Sequence, residues 1–257
     1  MEQLNFAKAK LSAGKNVLGI WSIINSPIVS EIMATAGLDF QILDMEHGVF
    51  DTSSLDASIR ACEAVGCSPL VRPATLSQTM IQTALDLGAH GVVVPQVVGK
   101  KDAEELVKCT HFAPRGRRGF NPFTRAGNYL PTPSGTPKIK NGFGLTSLII
   151  ENKTSYEELD QILEIPEIDM VYLGVYDMSV ALGCMGDLEN PKIQEFVNSA
   201  VLKILKAKKA AGLMVKSEAE MKKALDLGAN FLVYGVDTFV LARAIREGVQ
   251  GLTKVMK

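Results

Sequence analysis

Residues 40–48 read FQILDMEHG, an apolar run that closes on Asp44 and is followed at once by Glu46, His47 and a glycine. A strand buried on both faces has no reason to end on a carboxylate unless its end opens into a site, because an unpaired buried charge costs several kcal/mol. The same ending recurs along the chain. SPLVR (68–72) closes on Arg72, LTSLIIE (145–151) on Glu151, and MVYLGVYD (170–177) on Asp177. When parallel strands alternate with helices and close into a barrel, their C-terminal ends meet at one rim, and residues distant in sequence converge there.

Working outward, strand-like runs rich in Val, Ile and Leu fall at about 17–23, 40–44, 68–72, 91–95, 145–151, 168–176, 213–216 and 231–235, with helical patterns between most of them. That count is the count of an α/β fold of the (β/α)8 TIM-barrel type, and the sequence is read as one such barrel over residues 1–257. ALDLGA occurs at 84–89 and again at 224–229, with a looser echo in AGLDF at 36–40. Each reads as a helix end, a glycine cap and entry into a strand. Pro27 suits the first turn of the helix after the first strand. No linker or shift of composition divides the chain.

With 47% hydrophobic residues the chain can bury a large core, and its net charge of −1 gives no argument for nucleic acid or an anionic membrane as a partner. No apolar stretch approaches the roughly 18 residues needed to span a bilayer. The N-terminal residues lack a signal-peptide apolar core, so a cytoplasmic protein is expected. Cys62, Cys67, Cys109 and Cys184 lack metal-ligand spacing and read as free thiols. One segment breaks the rhythm: from about Ala113 to Gly142 the chain is rich in Gly and Pro. Between Glu105 and Glu151 it carries Lys108, Arg115, Arg117, Arg118, Arg125, Lys138 and Lys140 without one acidic residue. It reads either as a rim that draws an anionic substrate to the strand ends or as a solvated loop.

Glu151 and Asp177 lie about one βα unit apart and can face the same mouth. Two facing carboxylates repel, and a shared proton or a hard cation relieves them; magnesium or manganese is the expected cation. His47, with Asp44 beside it, has the makings of a general base whose tautomer a carboxylate holds. Arg72 offers a planar fork to a carboxylate or an enolate oxygen, and a structural ion pair with a neighbouring strand is its competing role. Trp21 ends the first strand, where it can line the mouth or pack the core. His90 precedes a strand, at the opposite end of the barrel, and His111 lies late in a helix; both read as structural. Lys216 closes the seventh strand, where it could form a Schiff base with a ketone, bind an anion at the rim or be solvated.

LDMEHG (43–48), LVRP (70–73), VVVPQV (92–97), APRGRRG with TRAG (113–119 and 124–127), the Glu of LIIE, YDMS followed by LG, and GVDTFVLARA (235–244) together resemble the HpcH/HpaI aldolase family of metal-dependent pyruvate aldolases. The resemblance implies a phosphoenolpyruvate/pyruvate-type barrel that makes or cleaves 4-hydroxy-2-oxo acids through a pyruvate enolate. It implies a magnesium or manganese ion, with cobalt as a substitute, on Glu151 and Asp177. It further implies a catalytic group of His47, Asp44 and Arg72, and a substrate pocket of Arg72, Trp21, Tyr176 and Asp177. Pyruvate and an aldehyde are the implied small-molecule partners, and the implied assembly is a homo-oligomer, a hexamer with C-terminal helices exchanged between subunits. Departures from the family's pattern are Ile149 where members carry Gln, GVYDMS in place of GPADLS, and RGFNPF in place of RGVG. They fall on the pocket wall and a loop, so they bear on the acceptor aldehyde more than on the enolate chemistry.

Three readings compete. A citramalyl- or malyl-CoA-type lyase shares the metal and enolate logic, though the compact length offers no cover for a CoA thioester. A phosphate-binding barrel isomerase would want a Gly-rich anion loop where this chain has KSEAE and GVDTF. A non-catalytic barrel that binds a 2-oxo acid is the third.

Overall fold

The computed structural model describes residues 5–129 and 144–256. In chain order it runs α1 (Phe6–Ser12), β1 (Val17–Ser22), α2 (Pro27–Thr35), β2 (Phe40–Asp44), α3 (Thr52–Ala64), β3 (Ser68–Arg72), α4 (Gln78–Asp86), β4 (Gly91–Val94) and α5 (Lys100–Thr110). It continues with β5 (Leu145–Ile150), α6 (Lys153–Glu157), α7 (Leu159–Leu163), β6 (Met170–Leu173), α8 (Val175–Ala181), α9 (Pro191–Lys206), β7 (Ala210–Val215), α10 (Glu218–Leu227), β8 (Phe231–Val236) and α11 (Asp237–Val255). The strands are all parallel and close in sequence order, with β8 pairing back onto β1.

Alternation along each strand sorts side chains into two layers. Leu43, Val71, Val92, Leu148 and Val171 face the helices, whereas Trp21, Phe40, Ile42, Leu70, Val93, Ile149, Tyr172 and Phe231 fill the barrel. The filling is tight. Phe40 stacks on Phe231 at 4.0 Å between ring centroids, and a Cβ on Gly19 would lie 2.4 Å from the Phe40 ring, so only glycine fits there. The same parity carries Asp44, Arg72 and Glu151, each two residues beyond an inner apolar side chain, to the inner face at the strand ends.

The repeated ALDLGA performs the same closure twice. Gly88 and Gly228 both take positive φ, 98° and 95°, and the next residue's N–H returns to the helix, Ala89 to Ala84 O at 3.1 Å and Ala229 to Ala224 O at 3.0 Å. Gly37, in the looser echo, also has φ 98°. Pro27 stands in the first turn of α2 behind an N-cap from Ser26. At the other end of the barrel, α1 crosses the floor, where Ala7 is buried and its N–H donates to Ser68 Oγ at 3.0 Å. His90 is buried in this floor between Ser68 and Glu63, and His111 is buried against Thr110 and Val107. All four cysteines are free thiols. Among the described residues no helix is long and apolar enough to cross a membrane.

Two expectations need correction. The run read as a strand from 168 to 176 is a strand only over Met170–Leu173; Gly174 then caps α8, so Asp177 stands in a helix's first turn and not at a strand end. Gly174 donates its N–H to Ile150 O at 3.0 Å and lies against Glu151, where a Cβ would sit 2.6 Å from the Glu151 Cβ. The described arginines of the basic segment are also not free cations. Its described part lies across α3, α4 and α5, with Arg117 on Glu105, Arg118 on Asp86 and Arg125 on Glu63, while Arg115 pairs with Glu167. Glu105 borders the segment, but Asp86, Glu63 and Glu167 come from elements remote in sequence, which a local charge count could not reveal; Lys138 and Lys140 lie outside the described residues.

Candidate active site

The mouth is built on the register of β2 and β3, in which Asp44 and Arg72 are directly opposed. Arg72 Nε donates to Asp44 Oδ1 at 2.8 Å and Nη2 donates to Oδ2, giving a two-pronged pair with a carboxylate only 1% exposed. Nη1 lies 3.2 Å from Glu46 Oε2, and the guanidinium carbon stands 4.3 Å from the Trp21 ring centroid. Burial alone would pull the guanidinium pKa down, but Asp44, Glu46 and Glu151 outweigh it and hold it above the ordinary arginine value. Arg72 is thus a permanent cation fixed on three sides.

Trp21 is held in turn. Its Nε1 donates to the Tyr172 hydroxyl at 3.2 Å, and the two rings meet edge to face at 5.5 Å. The end of β1 is tied down by Asp237, whose Oδ2 accepts the N–H of Ile23 at 3.0 Å and of Ile24 at 2.9 Å and the Ser22 hydroxyl at 3.2 Å. Trp21 is buried, so its role is to support Arg72 more than to line an open wall.

His47 is exposed on the loop after β2. The expected imidazole–Asp44 hydrogen bond is absent: Asp44 Oδ1 accepts the backbone N–H of Glu46 at 2.9 Å and of His47 at 3.3 Å, while the carboxylate faces Arg72. Asp44 therefore shapes the loop that presents His47 and leaves its tautomer open. The reason is competition, since a charged, two-pronged guanidinium donor displaces a single ring N–H from one carboxylate.

Glu151 follows β5 and is buried. Burial first, then the charges of Asp177 and Glu46, push its carboxyl up to about 7, against the opposing pull of the Gln96 N–H and Arg72. Its Oε1 accepts the Gln96 N–H, and Oε2 faces the space that the missing side chain of Gly174 leaves free. Asp177, exposed in the first turn of α8, adds its negative charge to the field at Glu151, while Gly174, three residues before it, lies directly against the Glu151 side chain. Among the described residues no cluster of three His, Cys, Asp or Glu side chains could hold a metal. Two carboxylates with open valences, one of them raised first by burial and then by its neighbours' negative charge, fit a hard cation that completes its shell with water and substrate oxygens.

Gln96 was not among the expected site residues. It takes φ 57°, gives its N–H to Glu151 and donates from Nε2 to Glu46 Oε1 at 2.7 Å, linking the Arg72 and Glu151 halves of the site. Its position just after Pro95 and β4 was the available signal. Tyr172 and Asp237 were equally unforeseen; a tyrosine inside an apolar run carries no local mark that it will receive an indole N–H.

A profile of the HpcH/HpaI aldolase/citrate lyase family matches residues 17–244. The chain belongs to that family. Among the HpcH/HpaI relatives, a hydroxypyruvate/pyruvate aldolase of Agrobacterium fabrum is 32% identical over 94% of this chain and 91% of its own length. A 4-hydroxy-2-oxo-heptane-1,7-dioate aldolase of Escherichia coli is 32% identical over 93% of this chain and 92% of its own. Among solved structures, an HpcH/HpaI aldolase from Desulfitobacterium hafniense DCB-2 superposes with a TM-score of 0.89 at 28% identity, covering 96% of each chain.

Proposed function

We propose that this member of the family is a divalent-metal-dependent aldolase that cleaves or forms 4-hydroxy-2-oxo acids through the enolate of pyruvate or a close 2-oxo acid. The observation that carries the reading is the juxtaposition of Glu151 and Asp177 with a permanently charged, immobilised Arg72 at one barrel mouth. Relatives named as aldolases acting on hydroxypyruvate, pyruvate and a 4-hydroxy-2-oxo diacid support the substrate class.

Glu151 and Asp177 would hold magnesium or manganese, with cobalt as a substitute. When bound, that cation supplies Lewis-acid polarisation of the 2-oxo group. Arg72 donates its N–H to the keto oxygen and stabilises the charge that develops there as the enolate forms. The backbone N–H groups of Tyr176 and Asp177, in the first turn of α8, lack intrahelical acceptors and are suited to the donor's carboxylate. On cleavage His47 takes the proton of the C4 hydroxyl, the C3–C4 bond breaks, and its electrons pass into the enolate; addition runs the same path backwards. Asp44 is a positioning residue, acting through Arg72 and the loop that carries His47.

The assembly is read as a homo-oligomer, hexameric by resemblance. Helix α11 meets the barrel through β1 and β8 and buries only Asp237, while Leu241, Ile245, Val249 and Leu252 form an exposed apolar row.

Deuterium exchange into the methyl group of pyruvate, followed by NMR with manganese or magnesium and again after EDTA, tests the enolate half without knowledge of the acceptor. Exchange that requires the metal is the expected result. Exchange that survives EDTA would overturn metal dependence, and metal binding with no exchange of any 2-oxo acid would leave a binding barrel in its place.

A further inference from the structure

Lys216 stands just past β7 on the inner face. Ala210 and Met214 of the same strand belong to the barrel filling, and a Cβ on Gly212 would meet Tyr172 and Met170 inside it, so alternation carries residue 216 to the mouth. Its stem packs beside the end of β8, with Cγ 4.0 Å from where a Cβ on Gly235 would lie. Nζ donates to the Tyr176 hydroxyl at 2.9 Å and lies 5.6 Å from that ring's centroid. The Tyr176 bond and the nearby Glu220 carboxylate outweigh burial and hold the ammonium above its ordinary pKa. A nucleophilic lysine needs the opposite shift, so the Schiff-base alternative loses its chemistry.

Within the mouth itself, Arg72 is held by Asp44 and Glu46, whereas Lys216 Nζ forms no ion pair among the described residues and hydrogen-bonds the Tyr176 hydroxyl. A cation on the inner face, two strands or about 10 Å around the rim from Glu151, is placed for the far end of a substrate whose 2-oxo end is at Glu151. The adjoining cavity of about 570 Å³ between α9 and α10 is lined by Glu189, Glu220 and Asp226 together with Lys216 and Lys223, so it carries no surplus of positive charge of the kind a dianion such as a phosphate would call for.

We propose that Lys216, steadied by Tyr176, is the specificity-determining residue on the acceptor side and binds the carboxylate of a short aldehyde acid. The assignment rests on the aldolase reading. Tyr176 spends its hydroxyl on orienting the ammonium, and the pair offers one charge and one adaptable hydroxyl to one carboxylate.

The test is the ratio of kcat/KM for aldol addition of pyruvate to succinate semialdehyde and to pentanal, a neutral aldehyde of similar length, with manganese present. The wild type should favour the acid at least tenfold, Lys216→Met should abolish that preference, and Lys216→Arg should keep most of it. The ratio is internal to each variant, so partial misfolding lowers both rates and leaves it intact. A wild type without the preference overturns the assignment, as does a Lys216→Met variant that retains it. A stronger preference for glycolaldehyde phosphate overturns the choice of carboxylate. Pyruvate exchange on the wild type separates the levels: its absence would overturn the aldolase reading and this assignment with it, whereas exchange with an unaltered ratio overturns this assignment alone.

Discussion

At the scale of single residues, the site divides labour between groups with firmly set charge and one group left free. Arg72 is locked by Asp44, Glu46 and the face of Trp21, so it meets substrate with little reorganisation. His47 is exposed and held through the backbone, which suits the proton-transfer role proposed for it. Replacing His47 by Ala is therefore expected to lower kcat for retro-aldol cleavage by about 10²–10⁴-fold, with a far smaller effect on pyruvate binding. Steady-state kinetics beside pyruvate titration checks this, and a variant as active as the wild type would remove His47 from the mechanism.

At the scale of elements, the turn from β6 into α8 carries Asp177, which with Glu151 is proposed to hold the metal. The chain leaves the strand at Gly174, where Glu151 occupies the space a side chain would need. Gly174→Ala, with its Cβ 2.6 Å from the Glu151 Cβ and 2.9 Å from Oε2, should displace that carboxylate and weaken manganese binding roughly tenfold or more. Calorimetric titration reads this directly, and an unchanged affinity would separate Glu151 from the cation. At the opposite end, α3 is tied to the floor through Glu63, which meets His90 Nε2 at 2.8 Å and pairs with Arg125. Burial would raise the Glu63 carboxyl, but His90 and Arg125 outweigh it and hold it below the usual range. A carboxyl depressed in the folded state adds stability above its unfolded pKa, and that contribution disappears as the pH falls through the folded value. Glu63→Gln should lower the melting temperature by roughly 3–10 °C near neutrality. The gap should narrow below about pH 4.5; a gap that widens on acidification would contradict the assignment.

Across the whole molecule, the barrel is complete while its last helix is not. Only Asp237 of α11 is buried, and Leu241, Ile245, Val249 and Leu252 stand exposed along it, the apolar row on which the proposed homo-oligomer rests. Ile245→Glu is expected to shift the protein to smaller species in sedimentation velocity, against a wild type that sediments as an oligomer. A wild type that sediments as a monomer would refute the covered-helix reading.

Most of the barrel was legible in the chain because its signals are local: apolar runs of strand length, glycine caps after ALDLGA, and polar residues closing the runs. Periodicity fixes which face a side chain takes, so Asp44, Arg72 and Glu151 could be placed at one mouth from spacing alone. What could not be read that way depends on partners distant in sequence. Asp44 had two candidates for its carboxylate, and only the paired register of β2 and β3 gives it to Arg72 in preference to the His47 ring. The basic segment looked uncompensated until folding set it against acids on α3, α4 and α5. Gln96 became a link in the site through a backbone conformation that no residue type announces. Hydrophobic pattern is written along one strand at a time, whereas the pairing of charges is settled by whichever groups the closed barrel brings within hydrogen-bond reach.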